Sequence, residues 1–339
     1  MENKVVRFLM NVGKSVLLPV LVYVVFAVLT KGRIVNSRTF LVILRQTVMP
    51  TIICWALVLN MTLGVMNFAA GGVVLCALIM GGNLSNMLGM GLPGLIVFCI
   101  LLAIFLSFVV GILFNVMHVP AIVLTIGIVL IFESIPRVFF QAGVIVPRRD
   151  TFLAREPWCF MVLLVVFCIF YVIYNKTAFG HNLRALGSNA QIASASGINV
   201  NKVTLYCFLV SGFFLGIAAV LYGAANGEVR NVTAMGSMTI MMDAFMGVFL
   251  AFFLAQYCDL TIAVFMGTFT MRLLTNGFVA MGTSATVRDM ANGFFLFILL
   301  TMSANQGWID RLRARNENAQ KANEKYALKM GKLAKQSVD

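Results

Sequence analysis

Residues 92–116 read LPGLIVFCILLAIFLSFVVGILFNV and contain no charged residue. An α-helix rises about 1.5 Å per residue, so a stretch of this length crosses the roughly 30 Å hydrocarbon core of a bilayer. Backbone amides and carbonyls in lipid must bond within their own segment, which favours a helix over an isolated strand. The stretch therefore predicts a transmembrane helix.

The composition of the whole chain agrees with a lipid-embedded protein. Of the 339 residues, 61% are hydrophobic and 11% are charged, whereas soluble domains carry roughly 25% charged residues. The 28 glycines and 21 methionines suit close helix packing and adaptable apolar filling. We predict one all-α, polytopic transmembrane helical bundle and not two soluble domains.

Hydrophobic runs predict about ten spans, with a range of eight to ten because some runs are short. The third is rich in glycine and is expected to be interrupted. The spans are predicted at 16–30, 48–65, 69–88, 92–116, 119–135, 158–174, 203–225, 238–257, 260–274 and 290–303. This pattern divides the chain into an N-terminal segment (1–15), a transmembrane domain (16–305) and a basic tail (306–339).

The formal net charge is +13, and eight of the 25 basic residues lie after residue 310. The basic residues of the tail are Arg311, Arg313, Arg315, Lys321, Lys325, Lys329, Lys332 and Lys335. Such a tail suits the cytoplasmic side and anionic lipid headgroups, and this interpretation is preferred to nucleic-acid binding. An even number of spans then places both termini in the cytoplasm.

Some arginines disagree with this orientation: two lie before the predicted second span, and three lie after the predicted fifth span. Arg38, Arg45, Arg148, Arg149 and Arg155 fall on the outer side, although positive residues normally favour the inner side. Alternatively, Arg38 and Arg45 lie on an interfacial helix at 38–45 that leads into the second span.

The sequence shows no pattern for catalysis. It has no GxxxxGK[ST] loop for phosphates, no nucleophile elbow and no HExxH motif. The seven cysteines include no CxxC pair, and His118 and His181 lie far apart, so neither a disulfide framework nor a zinc site is expected. We expect no catalytic residue, no cofactor and no bound metal.

A few charged residues lie within or beside the predicted spans. Glu133 and Arg137 are four residues apart and would share one face of a helix, where they can pair. Asp243 and Arg272 would meet if their neighbouring spans are antiparallel, and Asp259 lies in a turn that should be exposed. These scattered charges do not resemble a proton relay, which needs several carboxylates or histidines in line.

Neutral polar and aromatic residues in the spans are candidates for lining a path for a sugar or nucleoside. Hydrogen bonding between helices is the alternative role of the polar members. The candidates are Asn60, Asn67, Phe68, Ser107 and Asn115.

The polar connection before the seventh span carries a recognisable pattern. It reads TAFGHNLRALGSN at 177–189 and ends with SGINVNK at 196–202. This segment resembles the cytoplasmic loop of ribose- and galactose-type permeases of bacterial ABC importers, and the resemblance covers most of 38–305. The string GVMNFAAG at 64–71 is closer to the related branched-chain amino-acid permeases. Nucleoside permeases are another related alternative.

The resemblance implies a permease subunit in the bacterial cytoplasmic membrane that moves a monosaccharide-like solute. It implies a second permease copy or paralogue, cytoplasmic ABC ATPases, and an extracytoplasmic solute-binding protein near Arg148 and Arg149. The segment 177–202 is similar to the family's coupling helix. Its candidate coupling residues are Phe179, Gly180, Arg184, Gly187, Asn189, Ala193, Ser194, Gly197 and Lys202.

Elementary physics supports a docking role for the same segment. Small residues bounded by Gly187 and Gly197 can form a helix that enters a groove of a soluble partner, and Arg184 and Lys202 could pair with acidic groups there. An ordinary surface loop is the alternative. For the whole chain, the alternatives are a secondary transporter and a membrane scaffold.

A bulky residue in place of Gly197 is expected to abolish uptake and to leave membrane insertion intact. Cellular uptake assays and membrane fractionation check this expectation. Normal uptake by the variant would count against the coupling role of the segment.

Overall fold

The computed structural model describes residues 3–32, 35–117 and 119–304. The predicted basic tail (306–339) lies outside these residues. The chain forms two compact units, Met1–Asn292 and Gly293–Asp339. In the part that the structure describes, the second unit consists of residues 293–304, the end of the last helix.

Within these residues the chain forms twelve α-helices, one short 3₁₀ helix and two short strands. The α-helices are α1 (Asn3–Leu29), α2 (Ser37–Thr62), α3 (Ala70–Met87), α4 (Gly91–Met117), α5 (Ala121–Phe139), α6 (Trp158–Lys176), α7 (Ala178–Ser188), α8 (Ala190–Ala195), α9 (Val200–Asn226), α10 (Met238–Leu254), α11 (Leu260–Ala280) and α12 (Ala285–Ala304). The 3₁₀ helix is Arg148–Ala154, and the strands are β1 (Val144–Ile145) and β2 (Glu228–Val229). The two strands pair antiparallel.

Seven of these helices are long and apolar enough to cross a membrane: α2, α3, α4, α5, α6, α9 and α11. Two shorter apolar helical segments are Val16–Leu29 and Met238–Leu254. The prediction of a polytopic helical bundle is therefore confirmed. The count of eight to ten spans stays a prediction.

Two details of the predicted spans differ in the structure. The second span starts earlier than predicted, because α2 is one continuous helix capped by Asn36, and Arg38 and Arg45 lie on it rather than on a separate interfacial helix. The third span is not interrupted, because α3 is continuous through its glycines. Glycine lowers helix propensity by only about 1 kcal/mol, which packing overrides.

The core lies where α9 packs against α2, α3 and α4. A Cβ atom on Gly216 would come within 2.6 Å of the Ile100 Cα atom, and one on Gly212 within 2.8 Å of the Ala103 carbonyl oxygen. The large rings of Phe208 and Phe214 are fully buried beside them. Small residues let two helix backbones approach closely, which is the main source of helix association in lipid.

Replacing Gly216 with valine should lower the melting temperature of the detergent-purified protein. The added side chain would overlap the α4 backbone, and overpacking of this kind costs about 1–3 kcal/mol. Differential scanning fluorimetry measures the shift.

Gly127→Val is the matched control, because a Cβ atom on Gly127 would meet nothing within 4 Å. Equal melting temperatures for the two variants would show that the α4–α9 contact is not as tight as described.

Candidate functional site

The segment that resembles a coupling helix folds as two short helices, α7 and α8, between α6 and α9. The Thr177 hydroxyl accepts a hydrogen bond from the Gly180 amide at 3.2 Å and caps the start of α7. The Asn189 side-chain oxygen accepts from the Gln191 and Ile192 amides, both at 3.0 Å, and caps the start of α8. Threonine and asparagine are favoured at this position because their oxygens satisfy free amides.

The end of α8 is closed by a Schellman motif. Gly197 has a φ of +85°, a left-handed conformation that favours glycine. Its amide donates to the Ser194 carbonyl at 3.0 Å, and the Ile198 amide donates to the Ala193 carbonyl at 3.1 Å. Isolated helices below about 12–15 residues are marginal in water, so the caps at both ends define this six-residue helix.

The preceding helix, α7, is fixed to the rest of the bundle. A Cβ atom on Gly187 would overlap the Thr62 carbonyl at the end of α2, and Leu183 and Leu186 are buried. The Arg184 guanidinium lies 5.3 Å from the centre of the Tyr174 ring. It also contacts the His181 ring nitrogen at 2.7 Å. In this structure, therefore, Arg184 makes its contacts within the chain.

The outer surface of α8 is open, and one of its residues was missed by the sequence-based prediction. Ile192 is 66% exposed, while its neighbour Ala193 is buried against the chain. In the sequence, Ile192 is the one large apolar residue among the small and polar residues of 188–196. Beside α8 lies a groove of about 390 Å³ that is lined by Phe179, Lys202 and Tyr206 among others.

Three of the five residues predicted to line a path contact α9. The Asn60 amide donates to the Ser211 hydroxyl at 3.1 Å, and the Asn115 amide donates to the Asn201 carbonyl at 3.0 Å. Ser107 is buried beside Gly212. The alternative role, hydrogen bonding between helices, is therefore what the structure shows for Asn60.

The other two candidates lie at the start of α3. The Asn67 side-chain oxygen accepts from the Ala69 amide at 3.1 Å and shapes the turn into that helix. Phe68 packs on Phe245, with 5.5 Å between the ring centres. The role of all five residues in a translocation path stays a prediction.

The buried carboxylate of Glu133 has a different partner from the one considered in the sequence. Both of its oxygens accept hydrogen bonds: the Met235 amide at 3.0 Å, and the Ser237 amide and hydroxyl at 2.8 and 2.6 Å. Backbone amides satisfy the charge here, and no ion pair of Glu133 with Arg137 occurs among the described residues.

These bonds hold an unusual turn before α10. Ala234 and Met235 have φ values of +52° and +65°, which are costly for residues other than glycine. The Ser237 carbonyl lies so close to α3 that a Cβ atom on Gly71 would overlap it. Glu133 therefore fixes a strained turn in contact with α3 and α5.

Two further predictions about charged residues agree with the structure. The Arg272 guanidinium lies 3.0 Å from the Asp243 carboxylate across α10 and α11. Asp259 is exposed, and it also caps α11 through the Thr261 amide at 3.0 Å. The Asn175 amide reaches both Asp259 oxygens at 3.3 Å, which connects the end of α6 to the start of α11.

Comparison with known protein families decides the class of this bundle. Residues 39–303 match the family described as the branched-chain amino acid transport system / permease component. The chain belongs to this permease family. The permease is thus a multi-pass membrane component of a transport system, as the segment 177–202 indicated.

Several known proteins are similar to the permease. The autoinducer 2 import system permease protein LsrC of Photorhabdus luminescens is 25% identical over 235 residues, which cover 67% of this chain and 69% of the relative. The protein of the same name from Yersinia enterocolitica is 24% identical over 212 residues, covering 59% and 58%. The probable ABC transporter permease protein YphD of Escherichia coli is 27% identical over 151 residues, 42% of each chain. No solved structure matches.

The comparisons confirm the identification as a transport permease of the ABC type, a family of transport components rather than enzymes. The division at 1–15, 16–305 and 306–339 stays a prediction. So does the coupling role of the residues on α7 and α8.

Replacing Glu133 with glutamine should lower the melting temperature by an amount that corresponds to about 1–3 kcal/mol. Glutamine has no charge, and its side-chain NH₂ group would face the amide and hydroxyl donors that the Glu133 carboxylate now accepts from. Thermal unfolding of the detergent-purified permease measures this change.

Glu156→Gln changes an exposed carboxylate of the same type and should leave the melting temperature unchanged. If the two variants unfold at the same temperature, Glu133 does not hold the turn at 234–237.

Proposed function

We propose that this permease is one membrane-spanning half of an ABC importer that moves a monosaccharide-like solute into the cell. The observation that carries the proposal is the doubly capped helix α8, whose apolar Ile192 side chain projects from an otherwise small and polar segment. An exposed large apolar residue on a preformed helix is suited to entering a groove of a partner.

The proposed orientation has about ten spans and both termini in the cytoplasm. The ends of α2 and α6, the start of α11 and the helix α7 lie at one face, as the contacts of Thr62 with Gly187 and of Asn175 with Asp259 indicate. Lys4, Arg7 and Lys14 precede the first span. Positive residues favour the cytoplasmic side, so this face is proposed to lie in the cytoplasm of a bacterial cell, with the lipid of its inner membrane around the bundle.

The proposed partners follow from this orientation. A cytoplasmic ABC ATPase would bind α8 and hydrolyse ATP, since the permease has no phosphate-binding loop of its own. A second permease subunit, identical or paralogous, would complete the path, and an extracytoplasmic solute-binding protein would deliver the solute. ATPase closure would shift the population between inward-open and outward-open states through α8.

The names of the relatives support a sugar-like solute, because two of them are called autoinducer 2 import permeases. A second candidate is a branched-chain amino acid. The description of the family favours it, and so does the apolar pair formed by Phe68 and Phe245 next to Asn67. A nucleoside is a third class, and a secondary transporter is the alternative mechanism.

Ile192→Asp should reduce the amount of ATPase that co-purifies with the permease by about tenfold or more. A carboxylate buried without a partner would oppose docking, and each tenfold loss in affinity corresponds to about 1.4 kcal/mol. Co-expression of tagged permease with a cytoplasmic ABC ATPase from its genomic neighbourhood provides the measurement.

Ile145→Asp is the matched control, because Ile145 is 68% exposed, close to the 66% of Ile192, but lies on β1 at the opposite face. Equal recovery of ATPase with both variants would overturn the docking role. Ion-dependent uptake by the permease alone in liposomes would establish the secondary transporter instead.

A further inference from the structure

A cavity of about 600 Å³ lies between residues 45–49 in the third and fourth turns of α2, the 3₁₀ helix, the start of α6 and the end of α9. Small-molecule sites in proteins usually measure about 300–1,000 Å³. This cavity is at the face opposite α8, which is the outer face in the proposed orientation. None of the residues proposed for coupling or for the path lines it.

Three arginines line this cavity: Arg45 from α2, and Arg148 and Arg155 from the connection before α6. None of them forms an ion pair within the described residues. Four other arginines of this part of the chain do have acidic neighbours: Arg149, Arg230, Arg272 and Arg288. Arg38, Arg137 and Arg184 also form no ion pair within the described residues but lie elsewhere, so the cavity is distinguished by bringing three such guanidinium groups together.

The position of these arginines is unfavourable for topology, because positive residues normally favour the cytoplasmic side. The three arginines are exposed to solvent, and like charges that share a cavity repel each other. Glu156 is next to Arg155 in sequence but is exposed and forms no ion pair within the described residues. Both costs are offset if an anion binds, since guanidinium groups bind carboxylates and phosphates through two parallel hydrogen bonds.

The rest of the lining suits a polyol. Gln46, Thr151 and Asn226 supply neutral polar groups, and Met49 and Leu221 supply apolar surface. The hydroxyl groups of a polyol can form hydrogen bonds with the polar side chains, and its carbon skeleton can pack on the apolar ones. A sulfate-sized anion alone would leave most of this volume empty.

We infer that this cavity binds a small polyhydroxylated solute that carries a carboxylate or phosphate, of the sugar-acid or sugar-phosphate class, with Arg45, Arg148 and Arg155 holding the anionic group. The inference deepens the proposed function by naming the charge class of the solute, and it relies on that proposal for the orientation of the cavity. Binding itself requires neither an ATPase nor transport.

The test measures binding of three soluble compounds, D-gluconate, D-glucose 6-phosphate and D-glucose, to the full-length permease in neutral detergent by isothermal titration calorimetry. Phosphatidylglycerol is titrated separately in the same detergent. At least one of the two anions should bind about tenfold or more tightly than glucose, because charged hydrogen bonds contribute about that factor. Added salt should weaken its binding.

The triple variant R45Q/R148Q/R155Q should lose the preference for the anion. Arg230→Gln is the control, because Arg230 lies outside the cavity. Its guanidinium is 2.8 Å from Glu228, which raises the pKa of Arg230. The comparison of anion with glucose on the unmodified permease needs no variant, so a folding defect in the triple variant does not prevent a decision.

Four results would overturn the inference. They are equal binding of the anions and glucose, no binding of any of the three, equal loss in the control variant, and arginine-dependent binding of phosphatidylglycerol in place of both soluble anions. The last result would assign the cavity to a lipid headgroup. Recovery of the ATPase and binding of the solute are measured in separate experiments. Failure of the binding test therefore does not overturn the proposed importer, and failure of the ATPase test does not overturn the proposed binding of an anionic solute.

Discussion

The close approach of α4 and α9 at Gly212 and Gly216 is the contact on which the rest of the bundle depends. Helices in lipid gain little from burying apolar surface against each other, so backbone proximity and packing must supply the association. With α9 held in this way, α2 and α3 pack on its other faces. The helix α9 is thus a long central element with α8 before it and the arginine-lined cavity at its end.

Polar side chains in this apolar bundle hold irregular backbone. Glu133 satisfies the turn at 234–237, Asn67 shapes the turn into α3, and Asp259 starts α11. Non-helical backbone at membrane depth is tolerated only where protein or water satisfies it. Asn67 and Asp259 lie where the chain enters a helix, whereas Glu133 reaches the turn before α10 from within α5, and this placement explains why these polar residues are scattered along the sequence.

Helices were predictable from sequence because length and hydropathy are local properties. The pairing of Asp243 with Arg272 was predictable as well, since neighbouring antiparallel helices bring the two ends together. The start of α2 was missed because Arg38 and Arg45 lower the hydropathy of its first turns, which are nevertheless helical. The partners of Glu133, the amides of Met235 and Ser237, were missed because they lie about a hundred residues further along the chain. Backbone amides also occur at every residue except proline, so the sequence does not mark which of them a carboxylate will bind.

The candidate site was likewise predictable from sequence only in part. The sequence bounded the predicted helix with Gly187 and Gly197. Gly197 does close α8, but Gly187 lies in α7, and the start of α8 is capped by Asn189, which was not predicted as a cap. The cavity was not visible, because it combines residues from α2, the 3₁₀ helix and α9, which only the fold brings together. A helix whose shape is set by its two ends tolerates substitution at its exposed positions 190–192 and 194–195, so this surface can change in chemistry while the buried Ala193 and the two caps keep its backbone in place.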